Sequence, residues 1–325
     1  MKRGRLVAIA LLLAVATTAS AETVRTKLRR PPGSVQLRID PFVVTPPETE
    51  VCEAVALPFK KKVDIDEITV RLPEGDRFTS HHFAMFLADK DAPNLPQTPE
   101  KRVGCVGAGG AAVSPILAFV QHAGGSTIRF PRGVAVTLDP SQVLLLNPHF
   151  VNVGPAPVTL DVAVNFHKAR KRRVQHHARS FQLGAIRIAV PPGEIRSTTA
   201  EWRTPFAMNV VWLSTHSHKH TTAVDVELLR GSAPPASPPL VETRSYAEPA
   251  FQYYDVGALR LEPGDGLRWT CTYRNDTSKT LTFGVTAEDE MCFTVGFFVP
   301  DDDAAPLPRV PGCFGSGLGL VCPLN

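Results

Sequence analysis

Short apolar runs, many of them rich in valine, recur along almost the whole chain, and several are closed by proline. They occupy residues 51–57, 65–72, 159–166, 183–190, 266–273, 280–285 and 291–299. Where the pattern is clean it has period two, as at Val35, Leu37 and Ile39. That period puts alternate side chains on one face of a strand. With 30 Pro and 23 Gly in 325 residues, long helices are disfavoured and short strands joined by turns are expected. The reading is all-β, antiparallel sandwich in type. The length calls for two such domains, placed at residues 35–178 and 179–325. The basic run from Lys168 to Arg173 is expected to be a solvated loop on the hinge side of their junction, with His176 and His177 at the surface.

The chain opens with Lys2, Arg3 and Arg5, then an apolar run from Leu6 to Ala16, then Ala19-Ser20-Ala21. This is the form of a secretory leader (residues 1–21) cut after Ala21, which implies a secreted or periplasmic protein. The polar, basic residues 22–34 are expected to form a flexible lead-in. Removing the leader brings the formal charge from +4 to near neutrality, so charge gives no case for nucleic acid or membrane binding. No apolar run is long enough for a membrane span. All six Cys lie after the leader, an even number in keeping with disulfides. Asn275-Asp276-Thr277 has the form of an N-glycosylation sequon.

Chemistry concentrates in histidines. His216 and His218 stand two apart in a strand-like run over residues 206–229 and would project together. Imidazole suits zinc, copper, iron and nickel. His81 and His82 are adjacent, and on a regular strand they would face opposite ways. They can share a metal only at a bulge, a strand end or a sheet edge. His149 closes the apolar run Val143-Leu144-Leu145-Leu146-Asn147-Pro148. Met291 lies in Asp289-Glu290-Met291-Cys292.

Taken in order, His81-His82-Phe83, His149-Phe150, His216-Ser217-His218 and Glu290-Met291-Cys292 resemble the copper type II, ascorbate-dependent monooxygenases. That family includes the peptidylglycine α-hydroxylating and dopamine β-monooxygenases. The likeness runs over roughly residues 35–300 and takes in Val44-Thr45-Pro46, Leu57-Pro58 and Pro191-Pro192-Gly193-Glu194. It implies two tandem jelly-roll-like sandwiches and two coppers per chain. His81, His82 and His149 would hold an electron-transfer copper. His216, His218 and Met291 would hold an oxygen-activating copper, where a soft thioether favours Cu(I). The implied partners are O2, a small organic substrate hydroxylated at a C–H bond, and an electron donor such as ascorbate. The implied disulfides are Cys52–Cys105, Cys271–Cys292 and Cys313–Cys322, the last closing a small glycine-rich loop.

The sequence departs from the peptide-hydroxylating branch at several places. Ser214 replaces an Arg two residues before His216-x-His218, and Phe293 replaces an Asn after the Met-Cys pair. Glu50 stands for a Tyr and Asn147 for a Gln. These losses argue against a clamp for an anionic peptide end. Glu50 is expected to be an exposed loop carboxylate or an amine contact. The rival reading is a non-catalytic exported copper carrier, buffer or sensor on the same fold. With only 4 Met, the chain lacks the clustered methionines such proteins often carry.

Overall fold

A computed structural model describes residues 22–91, 95, 100–101, 116–303, 305–316 and 319–324. The leader sequence lies outside them, as does Cys105. Among the described residues every named element is a strand except one 3-10 turn at Lys171–Arg173, so the fold is an all-β sandwich. No helix among them is long and apolar enough to cross a membrane.

Two sheets enclose the first core. One runs in the order Glu100–Lys101, Glu48–Ala56, Gln142–Asn152, Phe78–Asp89, Ile116–Val120. The other runs His176–His177, Val134–Leu138, Val63–Arg71, Ala163–Lys168, Ser34–Arg38, with Gly125–Arg129 added to Val63–Arg71. Ile68, Val70, Leu144, Leu146, Phe150, Val164 and Phe166 fill the space between them. From Arg179 onward the chain builds a seven-stranded sheet centred on Met208–Ser217, Cys292–Pro300 and Arg179–Ala185, and a four-stranded sheet.

The period-two signal is clearest in Gly266–Arg274 of the four-stranded sheet. Leu267, Trp269, Cys271 and Tyr273 all point into the second core. The hydroxyls of Thr270 and Thr272 face outward and pair with Thr199 and Ser197 on the neighbouring strand. Such cross-strand pairs help to fix register.

Met208–Ser217 and Cys292–Pro300 read differently, as continuous apolar runs, because both of their faces are covered. Val210, Leu213 and Phe298 join the second core. Val211, Trp212, Phe293, Val295, Phe297 and Val299 join the first. Phe297 meets Phe130 edge-on, with ring centroids 4.9 Å apart. The two halves therefore share an apolar seam. Each large side chain withdrawn from water there contributes roughly 1.5–3 kcal/mol. This seam holds the ends of the histidine-bearing strands together.

Three features go beyond the sequence reading. The lead-in is docked rather than flexible. Glu22–Val24 pairs in parallel with Val158–Leu160, and buried Asp161 accepts a hydrogen bond from Thr26 N and ion-pairs with Arg25 and Arg38. A carboxylate so deep in the fold needs these partners, and they hold the segment down. The tail is more than a disulfide loop, because Gly319–Leu324 extends the seven-stranded sheet as a parallel neighbour of Arg179–Ala185. Asn275 is fully buried and donates to the Val190 and Lys279 carbonyls, so its amide is occupied in turn formation. The basic run is exposed, as expected.

A candidate metal centre between the two halves

His81 and His82 lie on Phe78–Asp89, and His149 on the adjacent Gln142–Asn152. The ladder pairs His149 with His82 but Phe150 with Ser80, so His81 is the extra residue of a β-bulge. The bulge lets two consecutive side chains face one way. Ring centroids are 5.3 Å apart for His81–His82 and 4.7 Å for His81–His149. One nitrogen from each of the three rings lies within 4.8 Å of the others.

The second pair comes from the seam. His216 sits in Met208–Ser217, and His218 follows the strand's last residue. The ladder with Cys292–Pro300 ends at Ser217 opposite Cys292. Continuing that register places Met291 opposite His218. Met291 is half-buried and packs against the first core. Cys271–Cys292 is formed, anchoring the segment that carries it, and Cys313–Cys322 is formed as well. Cys52 is also disulfide-bonded; the expected partner Cys105 is outside the described residues. Glu290 is buried and accepts from His220 N at 2.8 Å and the Thr221 hydroxyl at 3.0 Å. It thereby fixes the turn after His218. Burial pushes its carboxyl up to about 7.

All five rings form one cluster. His81 lies 4.6 Å from His218 and 6.4 Å from His216, centroid to centroid, while His216 and His218 are 5.1 Å apart. The sequence reading treats the histidines as two groups, one in each half. The structure brings the groups as close to each other as their own members are. The apolar seam is the reason, since it leaves no gap between the strand ends.

The hydrogen bonds indicate which nitrogen four of the five rings present. Asn147 donates through Nδ2 to Glu50 and the Val51 carbonyl, so its Oδ1 accepts from His82 Nε2–H at 2.8 Å. Glu48 accepts from His149 Nε2–H at 3.0 Å, and that bond holds the Glu48 carboxyl below its ordinary value. The Asp289 carbonyl accepts from His218 Nδ1–H at 2.9 Å. Gln121 Nε2 donates to the Ser217 carbonyl at 3.1 Å, and its Oε1 accepts from His216 Nδ1–H at 3.0 Å. One nitrogen is thus spoken for in four rings. On the other side, His82 Nδ1, His149 Nδ1 and His218 Nε2, together with His81 Nε2, are buried without a partner. Burial lowers the imidazole of His82 to about 3 and that of His218 to about 4, and puts His81 and His216 well below the ordinary value. Neutral rings with one nitrogen tethered and an unpartnered lone pair facing a shared space are what a metal requires. The donor set of imidazoles suits copper, as it does zinc, iron and nickel.

Two of these supports escape sequence reasoning. Gln121 follows Ile116–Val120, a strand paired with Phe83–Phe86, and it is the side chain by which the first half grips His216. A polar residue closing an apolar run was the available signal. Glu50 is not an exposed loop group. It lies on the Glu48–Ala56 strand, 4% exposed, and steadies His82 through Asn147. Gln121→Leu should leave the His216 N–H and Ser217 carbonyl unpaired and lower metal affinity at His216 and His218 about 10- to 100-fold. Gln121→Glu, which keeps an acceptor, should recover part of it. Competitive metal titration reads this, and an unchanged affinity in the leucine variant would count against the tether.

A cleft of about 370 Å³ opens beside His81 and Gln121. Val151, Val153 and Ala123 line it from the first half, and Tyr246, Ala247 and Ala287 from the second. Lys219 and Glu288 pair at its edge. The Ser214 hydroxyl donates to the Ala250 carbonyl. Phe293 is buried, 6.3 Å from the His216 ring. It lies so close over Gly184 that a Cβ there would stand 2.1 Å from its ring.

The fold and the buried imidazole cluster define a β-sandwich protein with a candidate metal centre at the junction of its halves. Residues 187–302 match the family model of the copper type II ascorbate-dependent monooxygenase, C-terminal domain. That segment carries His216, His218 and Met291. No curated protein matches the sequence. Among solved structures, the chain is similar to the STIV MCP (9% identity, 82% of this chain and 97% of that one, TM-score 0.37). It is also similar to PBCV-1 VP54 fitted into a reconstruction of the virophage Sputnik (8% identity, 84% and 95%, TM-score 0.29). Neither likeness bears on function.

Proposed function

We propose that this is an exported copper-dependent monooxygenase that hydroxylates a C–H bond of a small organic substrate, using O2 and an outside one-electron reductant such as ascorbate. The observation that carries the reading is the set of buried, unpartnered imidazole nitrogens whose opposite nitrogens are hydrogen-bonded. The family match over residues 187–302 supports the chemistry. The disulfides accord with an oxidising compartment, and the leader cut after Ala21 would direct the chain there.

In this reading His81, His82 and His149 hold one copper, and His216, His218 and Met291 the other. Bound copper would supply one-electron chemistry toward dioxygen. The protein's own groups do the rest. Glu48, Asn147 with Glu50, Gln121 and the Asp289 carbonyl fix ring orientation and tautomer, so that the opposite nitrogens present their lone pairs. The largely apolar cleft beside His81 admits a small substrate and limits water. With Ser214 and Phe293 turned to structural roles, these two positions do not supply the carboxylate clamp expected of peptide amidation.

Copper-loaded protein supplied with ascorbate and O2 should consume both and release a hydroxylated product from a panel of small aromatic and aliphatic compounds. Stoichiometric copper without product, together with copper transfer to an acceptor protein, would instead support the carrier reading.

A further inference from the structure

A second concavity, of about 790 Å³, lies on the outer face of the Val63–Arg71 sheet. It is distinct from the cleft at the histidines, whose lining it does not share. Its volume is in the range of small-molecule sites, and such sites combine apolar walls with a few convergent polar groups. Here one wall is aromatic. Phe251 and Tyr253, each 39% exposed, pack edge-on with centroids 5.6 Å apart, and Tyr254 and Phe130 extend the surface. The Tyr253 hydroxyl donates to the Thr127 carbonyl at 3.2 Å, so the aromatic strand of the second half is pinned to the floor laid by the first.

The opposite wall is cationic. Arg129 is neutralised by Glu67 at 2.6 Å, and Glu67 also stands 3.4 Å from His167. Arg71 differs. Its Nη1 donates to the Val70 carbonyl at 3.0 Å and the Ser126 carbonyl at 3.5 Å. No carboxylate among the described residues forms an ion pair with it or with Arg29, which also lines the cleft. Arg71 is half-buried and held by backbone, with its remaining N–H groups unassigned. A fixed guanidinium lacking its anion matches a carboxylate in shape as well as charge. Asp255 lines the far end but is exposed, where solvent screens it.

We propose that this cleft binds a carboxylate-bearing ligand with a flat aromatic body. The carboxylate would sit on Arg71 and Arg29, and the ring on Phe251 and Tyr253. Because the two walls come from different halves, the ligand would bridge them. The proposal does not depend on the metal centre.

The test titrates the full chain, disulfides intact, with 2-naphthoate, and with 2-naphthylmethylamine as a cation of the same body, by calorimetry. The acid should bind at least about tenfold more tightly than the amine. Arg71→Gln and Arg29→Gln should each weaken the acid about tenfold and leave the amine unchanged. Phe251→Ala should weaken both. Arg29 is exposed, so its variant keeps the test valid if Arg71→Gln does not fold. Equal affinity for acid and amine, insensitivity to Arg29→Gln, or no saturable binding of 2-naphthoate up to about 10 mM would each overturn the proposal.

Discussion

Met291→Ala should reduce turnover to below about one thousandth of the wild-type rate, a loss of roughly 4 kcal/mol in transition-state stabilisation. Copper at His81, His82 and His149 should remain. The expectation follows from the register of the seam. Ser217 pairs with Cys292, so the next step sets Met291 against His218. Alanine would remove the soft donor that favours Cu(I) while leaving the strand intact, because Cys292 is tied to Cys271. Steady-state rates with metal analysis on the same sample check this. Surviving turnover would mean that the thioether is not part of the centre.

Removing the Cys271–Cys292 bridge by a double serine substitution should have the largest effect on stability. The bridge closes a loop with a sequence separation of 21, for which chain entropy alone gives about 3 kcal/mol. Both cysteines are fully buried in the second core, so the serine hydroxyls would add a desolvation cost. The Trp269 indole donates to the Cys292 carbonyl, which makes loosening of this strand visible in tryptophan emission. Chemical denaturation should show a lower midpoint. The variant should also lose metal at His216 and His218 before the other three histidines. A midpoint unchanged from wild type would contradict this account of what holds Met291 in place.

The all-β fold was legible because the chain alternates and breaks at proline and glycine. Strands such as Gly266–Arg274 show the pattern directly. The histidines and Met291 stand out in the sequence because their types and order are unusual together. Of these, the structure gathers the histidines, and the condition for His81 and His82 to face one way, a bulge, is met between His149 and Phe150. What escaped depends on contacts far apart in sequence. The pairing of Gly319–Leu324 with Arg179–Ala185 and the anchoring of residues 22–26 by Asp161 leave no local period to read. Glu50 was misjudged for the same reason, since only its partner Asn147, 97 residues away, explains a buried carboxylate. The convergence of five rings into one cluster follows from the seam, and the apolar runs of Met208–Ser217 and Cys292–Pro300 do not say what covers their second face.

The most direct test is copper bound per chain, measured by elemental analysis of protein reconstituted with its disulfides intact. The account predicts two coppers, falling to one in the His216→Ala/His218→Ala variant. Zero or non-stoichiometric copper in folded protein would contradict it and leave the histidine cluster as a structural feature of the junction.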